Sequence, residues 1–157
     1  MMRSRARYPS YMADLWQCPK CGRRFARAGQ KHVCQRVTVE EHLDGRPRRV
    51  VALFRAFERL VAACGPFFHD PIKAQIGFQG TARIFAGVRL QDNGLAGYLD
   101  LARRVDDSRF TRVGPYTKHL FVHHFRITSP DQLDDRFAAY VRAAYAVGNG
   151  ARFGGTA

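Results

Sequence analysis

Four metal-binding side chains fall between residues 18 and 34, in the stretch LWQCPKCGRRFARAGQKHVC (15–34): Cys18, Cys21, His32 and Cys34. No other feature restricts the folding of this chain as tightly, because one bound ion would draw all four donors to a single point. Zinc takes four thiolate or imidazole ligands in a tetrahedron, at about 2.0–2.3 Å. Pro19 stiffens the turn between the two cysteines, and Gly22 lets the backbone fold so that amides face the thiolates. His32 and Cys34 stand two residues apart, so in extended backbone both point the same way. Phe25 is placed to cover one side, and the neighbouring Arg and Lys favour the thiolate forms. Residues 15–36 are therefore expected to form a small head around structural Zn2+, held by Cys18, Cys21, His32 and Cys34. Two other readings stay open: a thioredoxin-like redox pair, which would leave His-x-Cys unused, and buried free cysteines. His42 is an alternative ligand to His32 or Cys34. Cys64 sits on an apolar stripe and reads as core.

The spacing Cys-x-x-Cys-x-x-x-Phe matches the first half of a two-Cys, two-His zinc finger. The second half departs from it, with ten residues between Cys21 and His32 and a final His-x-Cys pair. A finger has about twelve residues there. The base-reading helix is thus expected to be truncated, which argues against groove reading and leaves phosphate contact open.

Charge is concentrated in the same region. The chain carries a net +13, and residues 1–36 hold nine Lys/Arg against Asp14 alone. A positive head attracts polyanions such as nucleic acid. The competing explanation is codon bias, since only Lys20, Lys31, Lys73 and Lys118 are lysines among 26 basic residues. Met12 is a second possible start, which would remove Arg3, Arg5 and Arg7. No apolar run is long enough to span a bilayer, and the basic start lacks the apolar core of a secretory signal. A cytoplasmic protein is expected, in which disulfides are disfavoured.

Behind the head, residues 37–45 connect to a body. RPRRVVALFRAFERLVAAC (46–64) places Val50, Leu53, Phe54, Phe57, Leu60, Val61 and Cys64 on one helical stripe. Asp44 is a candidate cap, Pro47 suits the first turn, and Gly65-Pro66 ends the helix. The period then changes to two. Strands are expected at 72–79, 82–90, 95–101 and 118–127, with an Asn93-Gly94 hairpin turn and a connection over 102–116. A second helix is expected over 129–148, with Ser129, Pro130 and Gln132 as a capping box. The fold expected is α+β in two layers: a four-stranded, mainly antiparallel sheet with two helices on one face, preceded by the head. The units are a disordered 1–14, the head 15–36, the domain 37–148 and a flexible tail 149–157.

The sheet face away from the helices would carry Lys73, Gln75, Gln79, Arg83, Arg89 and Tyr98, with His123 as a further candidate. Long donors without matching carboxylates suit an anion, although an ordinary solvated face explains them too. His119 and His123 share a strand face but stand ~13 Å apart, so a second metal would need donors from other strands. Catalytic templates are absent: there is no Gly-rich phosphate loop and no nucleophile elbow. Asp106-Asp107 and Asp134-Asp135 are neighbours on the chain and point apart, and Asp70 before Pro71 reads as a turn residue.

The segments WQCPKCGRRF, QKHVC, EHLDGRP, IKAQIGFQ, FAGV and SPDQLDDRF…AYAVG resemble an uncharacterised bacterial family of domains of unknown function, number 5655. The resemblance runs from about Leu15 to Gly148. It implies a short Cys/His head before an α+β domain, and no activity. Related domains occur beside nuclease-like and restriction-associated modules, which implies a link to nucleic acid by association alone. The function expected is a zinc-binding module for nucleic acid or another anionic ligand, with an enzyme as an open but less favoured reading. The alternatives are an enzyme whose Lys73, Tyr98 or His123 converge on the open sheet, and an interaction domain with an exposed apolar patch around Phe67-Phe68.

Overall fold

The computed structural model describes residues 15–151. The expected disordered N-terminus, 1–14, and the end of the expected tail, 152–157, lie outside the described residues.

The head is a two-stranded antiparallel ribbon, β1 (Trp16–Gln17) and β2 (Arg24–Phe25), closed by the Cys18–Cys21 turn. Residues 26–37 continue without a helix. The connector then contains a short helix, α1 (Val39–Leu43), which sequence periodicity did not suggest. It is specified instead by a capping box, in which Glu41 N–H donates to Thr38 Oγ1 and Thr38 N–H donates to Glu41 Oε2. Asp44 therefore ends α1 rather than starting the next helix. α2 (Arg48–Ala62) begins after Pro47 with no side-chain cap. Its stripe is as expected: Val50, Leu53, Phe54, Phe57 and Val61 are buried.

The sheet has six strands, not four, and all are antiparallel. They are β3 (Phe68–Ile72), β4 (Gln75–Gln79), β5 (Ile84–Leu90), β6 (Leu95–Leu101), β7 (Phe110–Thr117) and β8 (Leu120–Ile127), in the order β3-β4-β5-β6-β8-β7. The two unexpected strands are the two edges. Each contains a proline, Pro71 or Pro115, which an edge tolerates because one side of it needs no ladder donor. The expected strand 72–79 starts too early: Ile72 ends β3, Lys73-Ala74 form the turn, and β4 occupies the rest.

After β8, the Ser129–Gln132 capping box closes a 3₁₀ turn, not the helix. α3 (Asp135–Gly148) starts one step later, capped by Asp134, whose carboxylate accepts from Phe137 N–H at 2.9 Å. The buried face of α3 (Phe137, Val141, Ala144, Val147) joins α2 over one face of the sheet. At the C-terminal end, Asn149 Oδ1 accepts from Thr81 N–H at 3.1 Å, tying the chain back to the body. Among the described residues no helix is long and apolar enough to cross a membrane.

A bulge sets which side chains face which way. Phe78 pairs Ala86 while Gln79 pairs Ile84, so Phe85 is the extra residue on β5. Phe85 and Ala86 both enter the core, and Ile84 turns to the opposite face with Gln79. That face, away from α2 and α3, carries the candidate site.

Candidate functional site

The sulfurs of Cys18, Cys21 and Cys34 and a ring nitrogen of His32 lie within 4.8 Å of one another. Among the described residues this is the one group of three or more His, Cys, Asp or Glu able to hold an ion. Cys18 and Cys34 sulfurs are 3.5 Å apart, and His32 Nε2 is 3.3 Å from both Cys21 and Cys34 sulfurs. Ligand bonds of ~2.3 Å in a tetrahedron put sulfurs just under 4 Å apart, so the donors stand close to a coordinating arrangement. The turn is built as its sequence implied. Gly22 has φ +77°, its N–H donates to Cys18 carbonyl at 2.8 Å, and Cys18 N–H donates to Arg23 carbonyl at 2.8 Å. The backbone N–H of Cys21 holds the Cys18 thiol down to about 6. The sulfur of Cys18 beside it pushes Cys34 up to about 11.

His32 Nδ1 lies 2.6 Å from Gln30 carbonyl, a bond that presents Nε2 to the sulfurs. Phe25 covers the His32 ring at 4.5 Å, and Trp16 lies 6.0 Å from Phe25. His42 is not in the group: its Nε2 donates to Ile72 carbonyl at 2.7 Å. Cys64 is part-buried beside the core, its thiol donating to Leu60 carbonyl at 3.3 Å, and burial pushes it up.

The head is docked on the open sheet face. Arg23 makes a bidentate pair with Asp70, Nε to Oδ1 at 2.7 Å and Nη2 to Oδ2 at 2.9 Å. Arg24 lies 4.1 Å over the ring of Phe68, and Gln79 Nε2 donates to Arg24 carbonyl at 2.7 Å. Asp70 is thus a buried strand residue, 4 % exposed, and not the turn residue expected. Phe68 is buried and Phe67 packs on the core, so the apolar patch expected there is absent from the described surface.

Between head and sheet lies a cleft of about 740 Å³. Phe25, Lys31 and His32 form the head side. Gln75, Gln79, Arg83, Tyr98, Asp100 and His124 form the sheet side, with Tyr116 at β7. Four residues proposed from sequence therefore meet here: Gln75, Gln79, Arg83 and Tyr98. Lys73 and Arg89 do not; they line a separate hollow of about 570 Å³ with Glu41, His42 and Asp44.

His123 is a correction. It pairs with Leu99 on the helix side and is fully buried, accepting from Val105 N–H through Nε2 at 2.9 Å and donating from Nδ1 to Phe121 carbonyl at 3.0 Å. Burial lowers its pKa. The neighbouring His124 faces the cleft instead, 6.4 Å from the Tyr98 ring. His119 is exposed between β7 and β8, so the three histidines share no site.

Sequence reading missed Asp100. Its Oδ2 accepts from Arg83 Nη2 at 3.0 Å, and its Oδ1 is buried with no partner among the described residues. Burial outweighs the arginine and raises the carboxyl to about 6, while Tyr98 is pushed by burial to about 12. The available signal was a carboxylate between Leu99 and Leu101, one step out of phase with a core face.

Comparison with curated proteins and with solved structures gives no match. A family model for a domain of unknown function (DUF5655) matches residues 39–148, which leaves the Cys/His head outside it and takes in all six strands of the main sheet. With more than half of its length matched, the chain belongs to the DUF5655 family.

Proposed function

We propose that the protein is a cytoplasmic zinc-stapled binding module whose ligand is anionic, with single-stranded nucleic acid the first candidate. The observation that carries this reading is the cleft itself, roofed by the Cys/His head and floored by the open sheet. The donor set of three thiolates and one imidazole is that of a closed structural zinc site. No position is left for a substrate, so the metal's part is to hold the head in shape. The head supplies Lys20, Arg24, Arg27, Lys31 and Arg36, which have no carboxylate partner among the described residues. Aromatic rings interleaved with cations, here Tyr98, Tyr116 and His124 beside Arg83 and Lys31, are what single strands bind.

The enzyme reading required Lys73, Tyr98 and His123 to converge, and they lie respectively on a hairpin tip, the open face and the helix side. Those three residues therefore share no site.

Two measurements test the proposal. Elemental analysis of purified protein should find one zinc per chain. Fluorescence anisotropy with a labelled oligonucleotide should show the logarithm of the affinity falling linearly as log salt rises. Absence of binding at low salt, or binding indifferent to salt, removes the anionic reading.

A further inference from the structure

We infer that the cleft between head and sheet is a nucleotide site, taking the base inward to Asp100 and the phosphate outward to Arg83 and Lys31. The inference rests on the anionic reading above and goes further, because an anion alone leaves the floor of the cleft unexplained. Asp100 is 3 % exposed, and one of its oxygens has no donor among the described residues. A buried acceptor left without a donor is destabilising, and a ligand carrying N–H donors relieves it. The same ligand must be flat. Tyr98 and His124 line the floor, Tyr116 the rim, and His32 with its tilted neighbour Phe25 the roof. Tyr116 is 67 % exposed, so its ring is open to a base stacking on it.

The ligand must also be anionic at its outer end. Lys31 is exposed on the head side, and Arg83 lies 5.6 Å from the Tyr116 ring. Planar, N–H bearing and phosphorylated describes a nucleotide. Asp100 Oδ1 is closed to solvent in the free protein, so the base must gain access to it. Arg83, whose Nη2 bonds the neighbouring Oδ2 and whose side chain is 35 % exposed, is the group that moves aside. Swinging its guanidinium to the phosphate frees Oδ2 beside the unpartnered Oδ1, an acceptor pair for a base with two adjacent N–H donors. Guanine offers such an edge, with its imino and amino groups side by side. The volume, about 740 Å³, is within the range of small-molecule sites.

Isothermal titration of the full zinc-loaded chain tests this with GMP, uridine monophosphate, ribose 5-phosphate and a guanine-containing oligonucleotide. GMP should bind more than ten-fold tighter than ribose 5-phosphate, and tighter than the uridine nucleotide. Asp100→Asn, which presents an amide donor to the base in place of an acceptor, should lose about ten-fold for GMP. Tyr116→Ala lies on the surface and cannot unfold the core; it should weaken GMP several-fold while the salt slope for oligonucleotide stays unchanged. GMP and ribose 5-phosphate binding alike would overturn the inference and leave the anionic module standing. So would GMP affinity indifferent to both variants. No binding of any phosphate compound would remove the parent reading as well. A mononucleotide as tight as the oligonucleotide identifies a free nucleotide as the ligand; a ten-fold tighter oligonucleotide identifies a strand.

Discussion

Asp100 and Asp107 each face one arginine, yet their protonation is driven in opposite directions. Asp107 accepts from Arg109 Nε at 2.9 Å, Arg109 Nη2 at 2.8 Å and Arg109 backbone N–H at 3.0 Å, and from Tyr140 hydroxyl at 2.9 Å. The Arg109 side chain, helped by these other donors, holds its carboxyl well below the usual carboxylate range. Asp100 has one arginine bond and a bare oxygen, and burial lifts it to about 6. The consequences for stability are opposite in sign. The Asp107 contribution is present above its unfolded value of about 4 and is lost as pH falls below that. Asp107→Asn should therefore cost about 2 kcal/mol at pH 7, the scale of hydrogen bonds to a charged group. That deficit should shrink as urea melts are repeated at progressively lower pH below 4. For Asp100 the folded protein binds the extra proton, so stability declines as pH rises from about 4 towards 6. Asp100→Asn should flatten the stability profile in that window, and an unchanged slope would show that the carboxyl is not buried as described.

At the scale of elements, Gly148 shows how helix and sheet are fitted. Its carbonyl accepts from Ala82 and Arg83 N–H, and a Cβ there would run into the ring of Phe85, the bulged residue of β5. Alanine gains about 1 kcal/mol of helix propensity over glycine, but overpacking a closed core costs about 1–3 kcal/mol. Phe85 is fully buried, so the clash should win. Gly148→Ala is expected to lower the urea midpoint, and to cost less in a Phe85→Leu background, where the ring is gone. The bulge was invisible in the sequence, since Ile84, Ala86, Val88 and Leu90 alternate without a break. More generally, what the chain states locally was legible. The stripe of α2, the four inner strands and the spacing of Cys18, Cys21, His32 and Cys34 each depend on residues close in sequence. The edge strands were hidden because Pro71 and Pro115 read as breaks, and only strand order makes them harmless. The cleft was hidden for a related reason: Arg23 and Asp70 are 47 positions apart, and Arg83 reaches Asp100 across a strand register.

At the scale of the whole molecule, the head and the body have separate sources of order. The core cluster of α2, α3 and the sheet contains no residue before Val39. The head's own buried apolar groups are Cys18 and Phe25, too few to fold a segment of its size unaided. Its shape must come from the four convergent donors and its position from Arg23–Asp70. These two dependencies can be separated. If the four donors hold an ion, a strong chelator should release the head while the body keeps its far-UV circular dichroism and near-native urea midpoint. Arg23→Ala should leave the metal content intact yet free the head from the sheet, because it strands the Asp70 carboxylate, 4 % exposed, without its partner. Breaking such a pair costs about 3–5 kcal/mol, far more than the cation–π contact of Arg24 on Phe68, which is worth about 1–2 kcal/mol. Asp70→Asn removes the charge as well as the pair and should be milder. Hydrogen exchange read by mass spectrometry distinguishes the cases. Chelation should raise exchange in both the Cys18–Cys21 turn and β3, the edge strand that carries Phe68 and Asp70, whereas Arg23→Ala should raise it in β3 and spare the turn. If chelation instead unfolded the body, the head would be part of the core and the cleft could not be an interface between two independently ordered pieces.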